Sequence, residues 1–133
     1  QMIPWSHIDF MGQPFEKAAR EFGIHIDWEQ ARKHILDTAR RIYKGKGCTE
    51  FGIGAVLSNI ARAVMHDEKR ILPVSVLLEG EYGEQGVPAV VPCVIGKNGV
   101  EEILEISLTE KEKEQLHNSC NVIRGFVEKA DQM

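Results

Sequence analysis

The sequence predicts an α+β fold, an antiparallel β meander packed with several helices. Three observations carry this. Apolar residues recur at helical spacing up to about residue 66. From Ile71 to Ser107 the chain turns β-branched and is punctuated by glycine and proline, with Asn98-Gly99 as a short-turn signal between two strand candidates. Helical spacing then returns to the end of the chain, opened by Thr109 and Glu112 as a capping box.

In chain order, residues 1–12 read as a loop or broken turn, with Pro4, Trp5 and Gly12. Pro14 suits the first turn of a short helix whose apolar stripe is Phe15, Ala18, Ala19 and Phe22, stopped by Gly23. Asp27 is a good N-cap, and Ala31, Ile35, Thr38, Ala39 and Ile42 place a helix over about 28–44, ended by Gly45 and Gly47. Thr49 can cap a third helix over about 50–66. Gly52 and Gly54 lie in its first turns, each costing about 1 kcal/mol relative to alanine, so something is expected to pack or bind closely there. Ile71–Leu78 is a strand. Val87–Ile95 is a second, which Pro88 and Pro92 should make an edge, bulged or irregular. Val100–Ser107 is the returning strand, and the last helix covers about 110–130. No repeat or interdomain linker breaks the chain, so residues 1–133 are expected to form one domain.

Composition narrows the class. Hydrophobic residues make up 43% and charged residues 27% of the 133, ordinary for a globular domain, and no uncharged apolar run is long enough to span a membrane. The formal charge of -4, with mixed signs, argues against a nucleic-acid platform. Cys48, Cys93 and Cys120 are far apart and odd in number, as expected of reduced thiols in an intracellular protein. The five histidines lack metal-site pairing, so no metal is expected. Gly80, Gly83 and Gly86 follow a strand but precede no helix, so no dinucleotide fingerprint is formed. The chain starts with Gln1, not methionine, and enters an apolar segment at once, the pattern expected of a cut chain. Tyr82 reads as a turn aromatic, and Lys111–Glu114 as a solvated helix face.

Three stretches carry a resemblance. They are Trp5-Ser6-His7 followed by Gly12-Gln13-Pro14; Gly45-Lys46-Gly47-Cys48-Thr49-Glu50-Phe51-Gly52-Ile53; and the meander segments Leu72-Pro73-Val74-Ser75, Gly80-Glu81-Tyr82-Gly83, Val91-Pro92 and Gly99-Val100. In order and spacing they resemble the C-terminal, substrate-binding domain of the L-lactate and malate dehydrogenase family, over essentially the whole chain. The second stretch is similar to the family's K-G-x-T-x-x-G-I.

The resemblance implies a two-domain enzyme whose N-terminal Rossmann domain, which binds NAD, is absent from this chain. It implies reversible hydride transfer between a 2-hydroxy acid and the nicotinamide, with pyruvate and L-lactate as the substrate pair, in a cytoplasmic homo-oligomer. The proton-transfer histidine, its aspartate and two substrate arginines match no position in the sequence. No catalytic residue is therefore assigned in this chain, and the isolated fragment is expected to be inactive. His7 stands outside the matching motif. Thr49 corresponds to the threonine lining the substrate pocket, able to donate to the carboxylate. Ile53 corresponds to the apolar residue against the nicotinamide, where an apolar wall excludes water. Four residues apart, the two are expected to share a helix face. Thr49 with Gly52-Ile53 looks more like the lactate branch. The alternatives are a malate or branched 2-hydroxy acid dehydrogenase, or a non-catalytic oligomerisation module.

Overall fold

The structure, a computed structural model, describes residues 2–130. It divides into two compact units, one made of the segment up to Ser6 together with the chain from Arg62 onward, the other of His7–Ala61.

The His7–Ala61 unit opens with a small hairpin, β1 (Asp9–Phe10) and β2 (Gln13–Pro14). Its turn residues, Met11 and Gly12, have φ of 53° and 81°, and Asp9 Oδ1 accepts from the Gly12 N–H at 3.2 Å. The stretch expected to be a loop or broken turn thus holds a short 3-10 turn at Trp5–His7 and the first strand of this hairpin. Helix α1 (Phe15–Phe22) follows, with Pro14 in the capping place rather than inside the first turn. Gly23 ends it in the left-handed region at φ 65°, its N–H donating to the Ala19 carbonyl, as the sequence predicts. Edge-to-face aromatic pairs, Phe10–Phe22 and Phe15–Trp28, hold the hairpin, α1 and the start of α2 (Trp28–Lys46) together. Asp27 caps α2 by accepting from the Gln30 N–H at 3.0 Å. This helix continues through Gly45 and stops only at Gly47 (φ 80°), two residues later than predicted. Only Gly47 adopts a left-handed φ there, and a left-handed residue is what ends a helix.

Helix α3 (Phe51–Met65) links the two units, and its Ala63 is buried in the core of the other one. That unit is a three-stranded antiparallel sheet, β3 (Arg70–Glu79), β4 (Gln85–Gly96) and β5 (Gly99–Ile103), in the order β3-β4-β5, packed against α4 (Glu110–Ala130). Alternation sets the buried face. Leu78, Val87, Ala89, Val91, Cys93 and Ile95 point inward and meet Leu116 and Cys120 of α4. Each large aliphatic side chain buried this way contributes about 1.5–3 kcal/mol.

The strand with two prolines is central, so of the expected alternatives it is not an edge, but it is irregular, with register shifts in both of its ladders. Antiparallel geometry explains its central place. Pro92 offers its carbonyl to the Leu104 N–H at 2.8 Å, so its backbone faces the β5 side. Pro88, four residues away, faces the same side. Their missing N–H groups fall where β5 is ending or absent, and the ladder to β3 stays intact through the intervening residues. The same missing donors stop β5 at Ile103 rather than near Ser107.

The β4–β5 turn also differs in detail. Its central residues are Lys97 and Asn98, and Gly99 follows at φ 89° as the first residue of β5, beside a register shift. Glycine is required there because L side chains are strained at that φ.

Candidate functional site

Thr49 and Ile53 lie where α2 gives way to α3. Gly47 reverses the chain, its N–H donating to the Tyr43 carbonyl at 2.8 Å. Cys48, Thr49 and Glu50 then form a short link in neither helix nor strand. Lys46 Nζ meets Glu50 Oε1 at 3.2 Å and stands 4.3 Å from the centre of the Phe51 ring, which pins the link across its ends. The Gly54 N–H donates to the Glu50 carbonyl at 2.8 Å, so Glu50, not Thr49, holds the capping place of α3. Thr49 therefore stands outside the helix. Helical periodicity fixes the direction of Ile53 but not that of Thr49, and the shared-face expectation covers only the former.

Both side chains are accessible. Thr49 is exposed, and Ile53 is 56% exposed. Val56 and Leu57 are exposed on the same face as Ile53, and Phe51 is exposed on the other side of the helix. A Cβ at Gly52 or Gly54 would meet no atom within 4 Å, so of the expected close packing or binding there, no packed neighbour within the chain accounts for these glycines. This surface can supply a hydroxyl donor next to the start of an exposed apolar helix face.

The ionisable chemistry is elsewhere, in the sheet-and-α4 unit, and was largely missed from sequence. Glu84 is 3% exposed. Its carboxylate accepts from His117 Nδ1 at 2.7 Å and from the Arg124 guanidinium at 2.6 Å. Burial pushes its pKa up, but these two bonds outweigh burial and hold the carboxyl below its ordinary value. Asn121 completes a ring, with Nδ2 at 3.0 Å from His117 Nε2 and Oδ1 accepting from Arg124 at 2.8 Å. The only trace of this in the sequence is His117, Asn121 and Arg124 at helical spacing on one face of α4.

Glu112 is the second buried carboxylate, 5% exposed, although the run around it reads as a solvated face. It makes the expected capping box with Thr109: the Glu112 N–H donates to Thr109 Oγ1 at 3.3 Å, and Glu112 Oε2 accepts from the Thr109 N–H at 2.9 Å. It also accepts from the N–H and hydroxyl of Ser6, at 3.0 and 2.7 Å. Burial alone would raise its pKa, yet the bonds from Ser6 and Thr109 bring it to about 2. Tyr82 is held in a left-handed conformation at φ 56°, and its hydroxyl donates to the Leu104 carbonyl at 2.8 Å and accepts from the Ile106 N–H at 3.0 Å. It is a clamp on the segment after β5, in keeping with a turn aromatic.

The thiols of Cys93 and Cys120 are pushed up by burial, and all three cysteines are free. Among the described residues no group of His, Cys, Asp or Glu could hold a metal ion, and no helix is long and apolar enough to cross a membrane. His7 lies at an exposed position.

Comparison with known proteins places this architecture. The profile of the lactate/malate dehydrogenase, alpha/beta C-terminal domain matches residues 1–133. The L-lactate dehydrogenase of Fusobacterium nucleatum is 40% identical over 131 residues, covering 96% of this chain and 41% of that protein. L-lactate dehydrogenase 2 of Listeria monocytogenes serotype 4b is 42% identical over 129 residues, covering 96% and 42% respectively. Among solved structures, a minor L-lactate dehydrogenase from Enterococcus mundtii superimposes with a TM-score of 0.89 at 29% identity, over 96% of this chain and 41% of that one. A malate dehydrogenase from Aeropyrum pernix does so with 0.81 at 32% identity, over 95% and 40%. The chain thus spans about two fifths of the length of these relatives. With helices against an antiparallel sheet and a family profile matched end to end, the chain belongs to the lactate/malate dehydrogenase family, as its α+β C-terminal domain.

Proposed function

We propose that this chain is the substrate-side domain of an NAD-dependent L-lactate dehydrogenase interconverting pyruvate and L-lactate, and that it works with a separate NAD-binding domain. Residues 1–133 act as one functional domain in this reading. The observation that carries it is the accessible Thr49 hydroxyl beside the exposed apolar start of α3, headed by Ile53. It is supported by relatives at 40–42% identity that are named L-lactate dehydrogenases.

Thr49 donates its hydroxyl to the substrate carboxylate, and its methyl limits the space for the substrate's side chain. Ile53 presents an apolar surface to the nicotinamide ring and keeps water from the reacting carbons. Bound NAD supplies the redox chemistry, and the chain's own residues bind, orient and dry. The exposed apolar residues of α3 also favour association, so the protein works as a homo-oligomer; a cytoplasmic location goes with the family reading.

The test uses the longer protein containing this chain. NADH oxidation is followed with pyruvate, oxaloacetate and a branched 2-oxo acid. Thr49→Ala should lower kcat/KM for pyruvate about 10- to 100-fold, the loss of one hydrogen bond to a charged group. Ile53→Asn should weaken NADH binding and lower kcat. The isolated chain should show no turnover. A preference for oxaloacetate would move the protein to the malate branch, and wild-type activity in both variants would remove these residues from the site.

A further inference from the structure

We propose that Asn98 is a site of spontaneous deamidation, a modification the fold directs to this one asparagine. In this reaction the main-chain nitrogen of the following residue attacks the asparagine side-chain carbonyl carbon. A bond forms from the Gly99 nitrogen to Cγ of Asn98, and the Cγ–Nδ2 bond breaks. Ammonia leaves, carrying the proton lost from the Gly99 N–H, and a five-membered imide remains. Water then opens the imide at either carbonyl, giving aspartate or isoaspartate, with no change in oxidation state and no other reactant.

The chain has four asparagines: Asn59, Asn98, Asn118 and Asn121. Asn59 lies within α3, and Asn118 and Asn121 lie within α4. Helical backbone commits the next residue's N–H to a carbonyl four residues back and holds its nitrogen away from the side chain. Asn118-Ser119 is a reactive pair by sequence, since serine is small, but the helix restrains it, and Ser119 Oγ is further tied to the Gln115 carbonyl at 2.9 Å.

Asn98 differs in its backbone setting: the residue after it is only the first residue of β5, paired with Gly96 at the end of the ladder, and is not inside a helix. It is exposed at the tip of the β4–β5 turn, and the residue after it is glycine. Gly99 has no Cβ to shield its nitrogen, and even an added one would meet nothing within 4 Å. The hydrogen bond to the leaving amide is long, from Asn98 Nδ2 to Glu101 Oε1 at 3.5 Å. Turn tips open locally at little cost, which supplies the rotation that the attack needs.

The product has a structural consequence. A carboxylate at position 98 replaces a donor facing Glu101 with a like charge. Glu101 already pairs with Lys69, which is shared with Asp67 at 3.1 Å. The isoaspartate product also adds a carbon to the main chain just before the Gly96–Gly99 pair of the ladder.

The experiment incubates the purified chain at mildly alkaline pH, with and without urea, and maps acid and isoaspartate by peptide mass spectrometry. In buffer, Asn98 should convert faster than Asn118 by about tenfold or more, as the helix opens far less often than the turn. In urea, both should convert. Asn98→Gln should remove the fast site without exposing another. Comparable conversion of Asn118 and Asn98 in buffer would overturn the proposal. So would an Asn98 that stays intact in buffer while converting in urea.

Discussion

Replacing Glu112 with glutamine should destabilise the sheet-and-α4 unit in neutral solution and do so less in acid. The carboxylate accepts two hydrogen bonds from Ser6 and two from Thr109, its hydroxyl contact being 2.8 Å. They bring its pKa to about 2 from an ordinary 4.5. The folded value is the lower, so the stabilisation is complete above about 4.5 and is lost as pH falls towards about 2. The gap between these values, at about 1.36 kcal/mol per pH step, bounds the contribution at about 3 kcal/mol. Glutamine keeps one acceptor oxygen and turns an NH2 group towards donors, so Glu112→Gln should cost about 2 kcal/mol at pH 7. Between pH 5 and pH 3.5 the native protein should lose about 1 kcal/mol of this advantage, and the variant should not. Urea titrations across that range measure both, with Trp5, beside Ser6, as the fluorescent probe in a Trp28→Phe background. A Glu112→Gln penalty that does not change between pH 5 and pH 3.5 would refute the reasoning, because it would show that the carboxylate's charge is not what holds Ser6 and Thr109.

Two further outcomes are expected. Arg124→Leu should cost about 3 kcal/mol in urea unfolding, because it strips a partner from buried Glu84, and the double variant Arg124→Leu/Glu84→Leu should recover part of that loss. Tyr82→Phe should cost about 1–2 kcal/mol and speed hydrogen exchange at the Ile106 amide, which would no longer have the hydroxyl as its acceptor.

The elements were legible wherever a local signal names them. Gly23 and Asp27 cap as their types suggest, and Thr109 with Glu112 forms the capping box that the spacing announces. The strands β3 and β4 were likewise readable as β-branched runs between glycines and prolines, and the structure buries alternate residues along each. Boundaries failed where two residues offered the same signal. Gly45 and Gly47 are both helix stops by composition, and only the backbone φ at Gly47 chooses between them. Thr49 and Glu50 compete for one capping place, and the hydrogen bond from Gly54 gives it to Glu50.

By itself, then, the sequence determined the fold class and the order of the helices and of the three meander strands, though not the β1–β2 hairpin, because caps, turn glycines and apolar periods act over a few residues. It also named Thr49 and Ile53 as candidates, through the resemblance of the residues around them. Tertiary structure alone decided that β4 sits in the middle of its sheet, because the direction of a proline's missing donor depends on which strand lies beside it. It alone buried Glu84 and Glu112 as well. A carboxylate in a charged run looks solvated until partners distant in sequence, Arg124 at forty residues and Ser6 at over a hundred, fold onto it and replace its water.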